Sequence, residues 1–148
     1  MTETKEIFAR YANYFDTLLP NTVARLKDLA AEDLHFKDPF NDLHTIDSAI
    51  RLFEEMFEET INPRFEVTHI AACDSTAFLR WNFTFTPKSA LLNVREPWKI
   101  VGVSEVRCNA EGKIIEHIDH WDSGRYFYER LPLFGSVVRL IRRRMASS

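Results

Sequence analysis

Residues 98–122 read WKIVGVSEVRCNAEGKIIEHIDHWD. Two runs, Trp98–Cys108 and Ile114–Asp122, alternate with period two around the turn-forming residues Asn109-Ala110-Glu111-Gly112. Two such runs joined by a Gly-containing loop predict an antiparallel hairpin of two long strands. Alternation places His117, Asp119 and Trp121 on one face of the second strand and Ile118, His120 and Asp122 on the other.

Upstream of this hairpin the same period runs through Phe78–Thr86 and through the residues after Pro63, where Phe65, Val67 and His69 alternate with Glu66, Thr68 and Ile70. The first part of the chain follows helical spacing instead. Residues 4–18 align Ile7, Tyr11, Tyr14, Phe15 and Leu18 on one stripe. Asn21 or Thr22 can cap a second helix that turns Val23, Leu26 and Leu29 inward. Residues 45–59 predict a third, capped by Thr45 or Asp47, with Ile50, Phe53, Met56 and Phe57 inward. Between the last two, Leu34–Asp38 is a short extended stretch, and Pro39 turns the chain. Helices first and strands second predict an α+β fold with three N-terminal helices on one face of a largely antiparallel sheet. Helical pattern returns from Gly124, divided by Pro132.

A chain of 148 residues is one domain's worth, and no internal repeat or linker divides it, so residues 1–148 are expected to form a single domain. It can bury enough surface to fold without disulfide or metal staples. Twelve Phe, four Tyr and three Trp predict a large aromatic core or an apolar cavity. Four Gly and no phosphate-loop motif argue against nucleotide binding. Cys73 and Cys108 lack metal or redox spacing, and the polar N-terminus lacks the apolar core of a signal peptide. A cytoplasmic location is expected.

Three constellations can carry chemistry. The first is His117 with Asp119 beside Trp121, where burial raises a carboxyl pKa and depresses that of an imidazole, poising a general acid or base near neutrality; alternatively the pair caps neighbouring loops at a wet strand end. His-x-Asp also opens a two-His-one-carboxylate iron site, but no further His follows His120, so neither metal nor cofactor is expected. The second is Arg80 with Asn82 on one face of the strand, either a structural salt bridge to Asp119 or an Arg that orients that carboxylate. The third is Asp38 between Phe36 and Phe40, either a desolvated base or an Asp opening a turn. On the first helix, Tyr11 and Tyr14 are core residues or donors to a site.

Helices, an Asp-Pro turn and a long sheet ending in His-x-Asp-x-Trp-Asp resemble the nuclear transport factor 2-like superfamily over about Lys5–Asp122. Its ketosteroid isomerases, limonene epoxide hydrolases and SnoaL-like polyketide cyclases share a cone. A curved antiparallel or mixed sheet packs against three helices around an apolar pocket, usually in a homodimer. Against the isomerases, Asp38 matches the catalytic base and Tyr14 the oxyanion-hole tyrosine, while Ser104 stands where a second acid donor is expected. Against the epoxide hydrolases, Asp119 matches the base and Arg80 the bridging arginine, and Asn82 replaces the acid. Against the cyclases, Asp119 falls near the acid/base aspartate, with His117 and Trp121 around it.

The resemblance implies a cofactor-independent acid/base enzyme acting next to a carbonyl on a small apolar molecule. Asp119, Asp38, Arg80, His117 and Tyr14 are its expected catalytic group. Asn82, Trp121, Phe36, Phe53 and Trp98 are expected to bind substrate. The alternative is a non-catalytic ligand-binding or dimerisation module on the same fold. Residues from Arg125 onward hold six Arg and one Glu, against a net −8 on the residues before them. The apolar positions Leu133, Phe134, Val137, Val138, Leu140 and Ile141 make this extension amphipathic. It is expected to pack over the cone mouth or at a dimer contact; a membrane-surface helix is the rival, and nucleic-acid binding is disfavoured by the acidic body.

Overall fold

The computed structural model describes residues 2–88 and 96–147. Helix α1 spans Thr2–Asp16 and buries Phe8, Tyr11, Ala12 and Phe15. A 3-10 turn at Val23–Arg25 leads into α2, a single turn at Leu26–Leu29. Strand β1 follows at once, Ala30–Lys37, then β2, Asp42–Leu43. Helix α3 is Ile46–Glu59, capped by the Thr45 side chain, which accepts from the Ser48 amide at 3.2 Å. Strands β3 (Thr60–Cys73), β4 (Thr76–Pro87), β5 (Trp98–Cys108) and β6 (Ile114–His120) complete the sheet.

The six strands lie in the order β2-β1-β6-β5-β4-β3, a curved, open, mixed sheet in which β1 runs parallel to β6 and the other neighbours are antiparallel. Strand β5 buries alternate residues along its whole length, as its period predicted. The β5–β6 turn closes on Asn109, whose side-chain oxygen accepts from the Glu111 and Lys113 amides, with Gly112 at φ 82°. Helix α1, α2, α3 and the helix-facing side of the sheet enclose one core, reaching from Phe8, Leu26 and Leu34 to Phe53, Leu79 and Ile114. Each such fully buried side chain contributes about 1.5–3 kcal/mol of transfer free energy.

The second helix of the sequence reading is an uncapped 3-10 turn and one α-turn, and two strands depart most from their expected bounds. Strand β1 is longer than the expected Leu34–Asp38, because Ala30 pairs with Ile114 of β6 through a bulge before His35; this contact is far apart in sequence and leaves no local period. Strand β3 begins at Thr60, before Pro63 instead of after it. Pro63 lies within a register shift between Ile61 and Arg64, next to Asn62 at φ 51°, and β3 is a sheet edge. An edge bulge is where a strand tolerates a residue without an amide hydrogen.

Beyond β6, the Asp122 side chain caps α4 (Ser123–Tyr126) by accepting from the Arg125 amide at 3.0 Å. A 3-10 turn at Tyr128–Arg130 and a break around Pro132 precede α5, Phe134–Met145. Buried Glu129 ties α5 down, accepting from Arg142 at its carboxylate and from Arg139 at its backbone carbonyl. Helix α5 therefore packs along the Tyr128–Arg130 turn, and Phe127 from the linker reaches the cavity. Its apolar residues Phe134, Val137, Leu140, Ile141 and Met145 remain exposed. Among the described residues no helix is long and apolar enough to cross a membrane.

Candidate active site

The sheet's register assembles the site. Ser104 on β5 stands opposite Asp119 on β6 and opposite Leu79 on β4, while His117 stands opposite Val106 and, across the parallel pair, opposite Phe36. Trp81, diagonal to Ser104, lies across Gly102; a Cβ at Gly102 would fall 2.5 Å from the indole ring. The missing side chain at Gly102 lets the indole settle against β5, and its Nε1–H then donates to Ser104 Oγ at 2.8 Å.

From there a continuous chain of hydrogen bonds crosses the floor of the fold. Ser104 Oγ and His117 Nε2 both bond to Asp119 Oδ1, the latter at 2.7 Å. His117 Nδ1 meets the Tyr11 hydroxyl at 2.7 Å. An indole can only donate, so Ser104 accepts from Trp81 and gives its own hydrogen to Asp119. A carboxylate only accepts, so Nε2–H of His117 also points at Asp119, and Nδ1 on the other side of the ring meets the Tyr11 hydroxyl. His117 is buried between Phe36, stacked at 4.6 Å, and the edges of Tyr11 and Phe15. Burial, then the negative charge of Asp119, then Tyr14, raise the Tyr11 phenol well above its ordinary pKa, so it stays a donor.

With Trp81, Asp119 is one of two members of the chain that border the large open cavity, and 18% of its side chain is exposed. Its Oδ1 carries both hydrogen bonds; Oδ2 has no hydrogen-bond partner among the described residues. It lines a cavity of about 820 Å³, open to solvent. Ligand pockets run about 300–1,000 Å³ and are mostly apolar, and this one is walled by Phe36, Phe53, Phe83, Phe85, Trp98 and Trp121. A separate hollow of about 20 Å³ sits beneath, bordered by Ser104, His117 and Asp119, large enough by volume for one water.

Asp38 borders the same large cavity. Its Oδ1 accepts from the Phe40 amide at 2.8 Å, the Asn41 amide at 2.7 Å and Asn41 Nδ2 at 3.1 Å, and Oδ2 accepts from Asn41 Nδ2 as well. It is the residue that folds its own turn.

Three expected site residues stand elsewhere. Arg80 is exposed on the opposite face of β4, with its guanidinium near Thr68 Oγ1 at 3.3 Å, and does not reach Asp119. Asn82 shares that outer face, between Glu66 and Val101, and is not part of the cavity wall. The alternation that carries Ala77, Leu79, Trp81, Phe83 and Phe85 inward necessarily carries Arg80 and Asn82 outward. Tyr14 is buried in the core and donates to the Val23 carbonyl at 2.8 Å. One helical step away, Tyr11 occupies the donor position at the site. Phe36, Phe53, Trp98 and Trp121 all line the cavity.

Trp81 is the site residue that the sequence reading did not single out; Tyr11 was weighed there as core or donor, and Ser104 was placed only by the resemblance, at the position of a second donor. Gly102 in mid-strand was the available signal, since a strand glycine often marks the close approach of another group.

The SnoaL-like domain family matches residues 11–117 of the chain. The protein belongs to that family. A search of curated proteins returns no match by sequence. Among solved structures, a candidate SnoaL-like polyketide cyclase from Shewanella putrefaciens superimposes with a TM-score of 0.69 at 14% identity, covering 88% of this chain and 96% of that one. An NTF2-like protein from Burkholderia thailandensis gives 0.67 at 16% identity, over 97% and 98%. An LEH-like epoxide hydrolase from M. tuberculosis gives 0.66 at 11% identity, over 95% and 93%. At these identities the likeness shows the fold, the α+β cone of nuclear transport factor 2-like proteins. The SnoaL-like cone here holds a buried histidine hydrogen-bonded to an aspartate on the wall of a largely apolar cavity.

Proposed function

We propose that the protein is a cofactor-independent acid/base enzyme that moves a proton next to a carbonyl of a small, largely apolar molecule. The observation that supports this reading is the Tyr11–His117–Asp119–Ser104–Trp81 chain, which leaves one carboxylate oxygen free at the wall of the cavity. Asp119 is the general base and takes the proton on Oδ2. His117 and Ser104 are positioning residues: by holding Oδ1 they fix the direction of the free oxygen. A positioned base contributes about 10²–10⁴ in rate. The enolate oxygen that forms needs donors, and neither Arg80 nor Tyr14 is available. Trp98 and Trp121 border the same cavity, and neither indole N–H has a hydrogen-bond partner among the described residues; they are the donors we assign. The proton then returns from Asp119 to a second carbon, giving isomerisation, or the enolate carbon attacks a second carbonyl of the same molecule and the alkoxide so formed takes the proton from Asp119, giving ring closure.

All three Trp residues border the cavity, so intrinsic fluorescence reports its occupancy. Small cyclic ketones, enones and polyketide-like aromatics are screened by quenching, and the binders are then followed by proton NMR in D2O. Loss of the signal α to the carbonyl, faster with protein than in buffer, is the expected result. Ketones that quench the indoles yet exchange at the buffer rate would contradict catalysis and leave a ligand-binding module.

A further inference from the structure

At the open end of β1, on the side away from Asp119, two histidines and an aspartate converge. His35 Nε2 lies 2.7 Å from Asp42 Oδ1, and His44 Nε2 lies 3.5 Å from the same oxygen. The two imidazoles are parallel, 4.7 Å apart. The register explains why they meet: Lys37 pairs with Asp42 and Phe36 with Leu43 across the β1–β2 hairpin, so the next step brings His35 to His44. The three ligand atoms all lie within 4.8 Å of one another.

We propose that His35, Asp42 and His44 bind a divalent transition-metal ion of the zinc class. A tetrahedral ion with nitrogen and oxygen ligands at about 2.0–2.2 Å needs donor atoms separated by roughly 3.3–3.5 Å, and the present separations bracket that value. The donor set, two imidazoles and one carboxylate, selects zinc and its neighbours over magnesium or calcium, which take oxygen ligands. A second feature fits. Glu116 Oε2 stands 3.5 Å from Nδ1 of His35, on the side of the ring away from Asp42. A carboxylate behind a ligating histidine orients the ring and strengthens it as a ligand. Glu116 is itself held near Arg107 at 3.7 Å.

Three protein ligands on an exposed hairpin leave further positions of the ion to water. The ion would pin the base of the turn that carries Asp38, Phe40 and Asn41, all on the cavity rim. Its role is to stiffen that rim, and the chemistry at Asp119 does not involve it.

The test titrates chelator-treated full-length protein with zinc chloride by calorimetry, with cobalt absorption as a second readout of nitrogen ligation. One site per chain is expected. His44→Ala, an exposed position, weakens zinc binding by at least about tenfold, and Glu116→Gln by about tenfold. Cys73→Ser and His69→Ala leave it unchanged. Absence of binding at millimolar zinc would overturn the proposal, and so would wild-type affinity in His44→Ala. Neither readout depends on turnover, so this result and the acid/base reading stand or fall separately.

Discussion

Asp38 and Asp119 border one cavity, yet their hydrogen-bonding surroundings are opposite. Asp38 spends both oxygens on the Phe40 amide, the Asn41 amide and the Asn41 side chain, all within its own turn. Asp119 spends only one, and on residues from three other elements: Ser104 of β5 directly, with Trp81 of β4 behind it, and His117, backed by Tyr11 of α1. A carboxylate wrapped by local amides is held in place with its oxygens occupied; a carboxylate with a free oxygen against an apolar wall can face a ligand. The lesson is that pocket location alone does not identify a base. The count of oxygens left over does.

That contrast can be broken experimentally in graded steps. Asp119→Asn carries the largest effect: turnover falls by about 10²–10⁴, while the urea midpoint changes little because the amide oxygen still accepts from Ser104. His117→Asn comes next. It removes the group that aims Asp119, and misplacement of a reacting group costs about 10²-fold, read as a loss in kcat at nearly constant KM. Asp38→Asn keeps the Oδ1 acceptor and hence the turn, so turnover stays within about tenfold of wild type, less than the general-base contribution at stake for Asp119. Arg80→Ala, on the outer face, leaves turnover unchanged and stability within about 0.5 kcal/mol.

The tyrosines extend the comparison to pH. Burial raises the phenol pKa of both Tyr11 and Tyr14 in the folded protein, whereas in the unfolded chain they ionise near pH 10, the usual value, about. The folded state therefore retains protons that the unfolded state loses. Their contribution to stability is intact below about pH 10 and declines as pH rises above it. Urea unfolding between pH 8 and 11, about that midpoint, should show the fall, and Tyr14→Phe should flatten it.

Much of this was legible beforehand, and what was not follows from the physics of each element. Strand β5 follows from strict alternation; β6 breaks it once, by a bulge between Ile114 and Glu116, but alternation holds from His117 to Asp119, which are hydrogen-bonded to each other, and Trp121 just past the strand lines the cavity with Asp119. On β4 the signal existed and points the other way: Leu79, Trp81, Phe83 and Phe85 are wholly apolar at alternate positions, and that set is the core face. Arg80 and Asn82 drew attention by their charge and polarity, though an exposed face explains both. The choice between Tyr11 and Tyr14 is different in kind. Both lie on the inward stripe of α1, and helical spacing does not say which hydroxyl meets a strand more than a hundred residues away. Ser104 depends on strand register in the same way, and β1 on a parallel pairing with β6 that no local pattern encodes.

The central claim is that Asp119, and not Asp38, is the base. Its most direct test is the rate of α-proton exchange in D2O for one cavity-binding ketone, measured side by side in Asp119→Asn and Asp38→Asn at equal occupancy by Trp fluorescence. The structure predicts that Asp38→Asn exchanges near the wild-type rate and exceeds Asp119→Asn by at least about a hundredfold, the lower end of a general base's contribution. Equal rates in the two variants, or a slower Asp38→Asn, would contradict it.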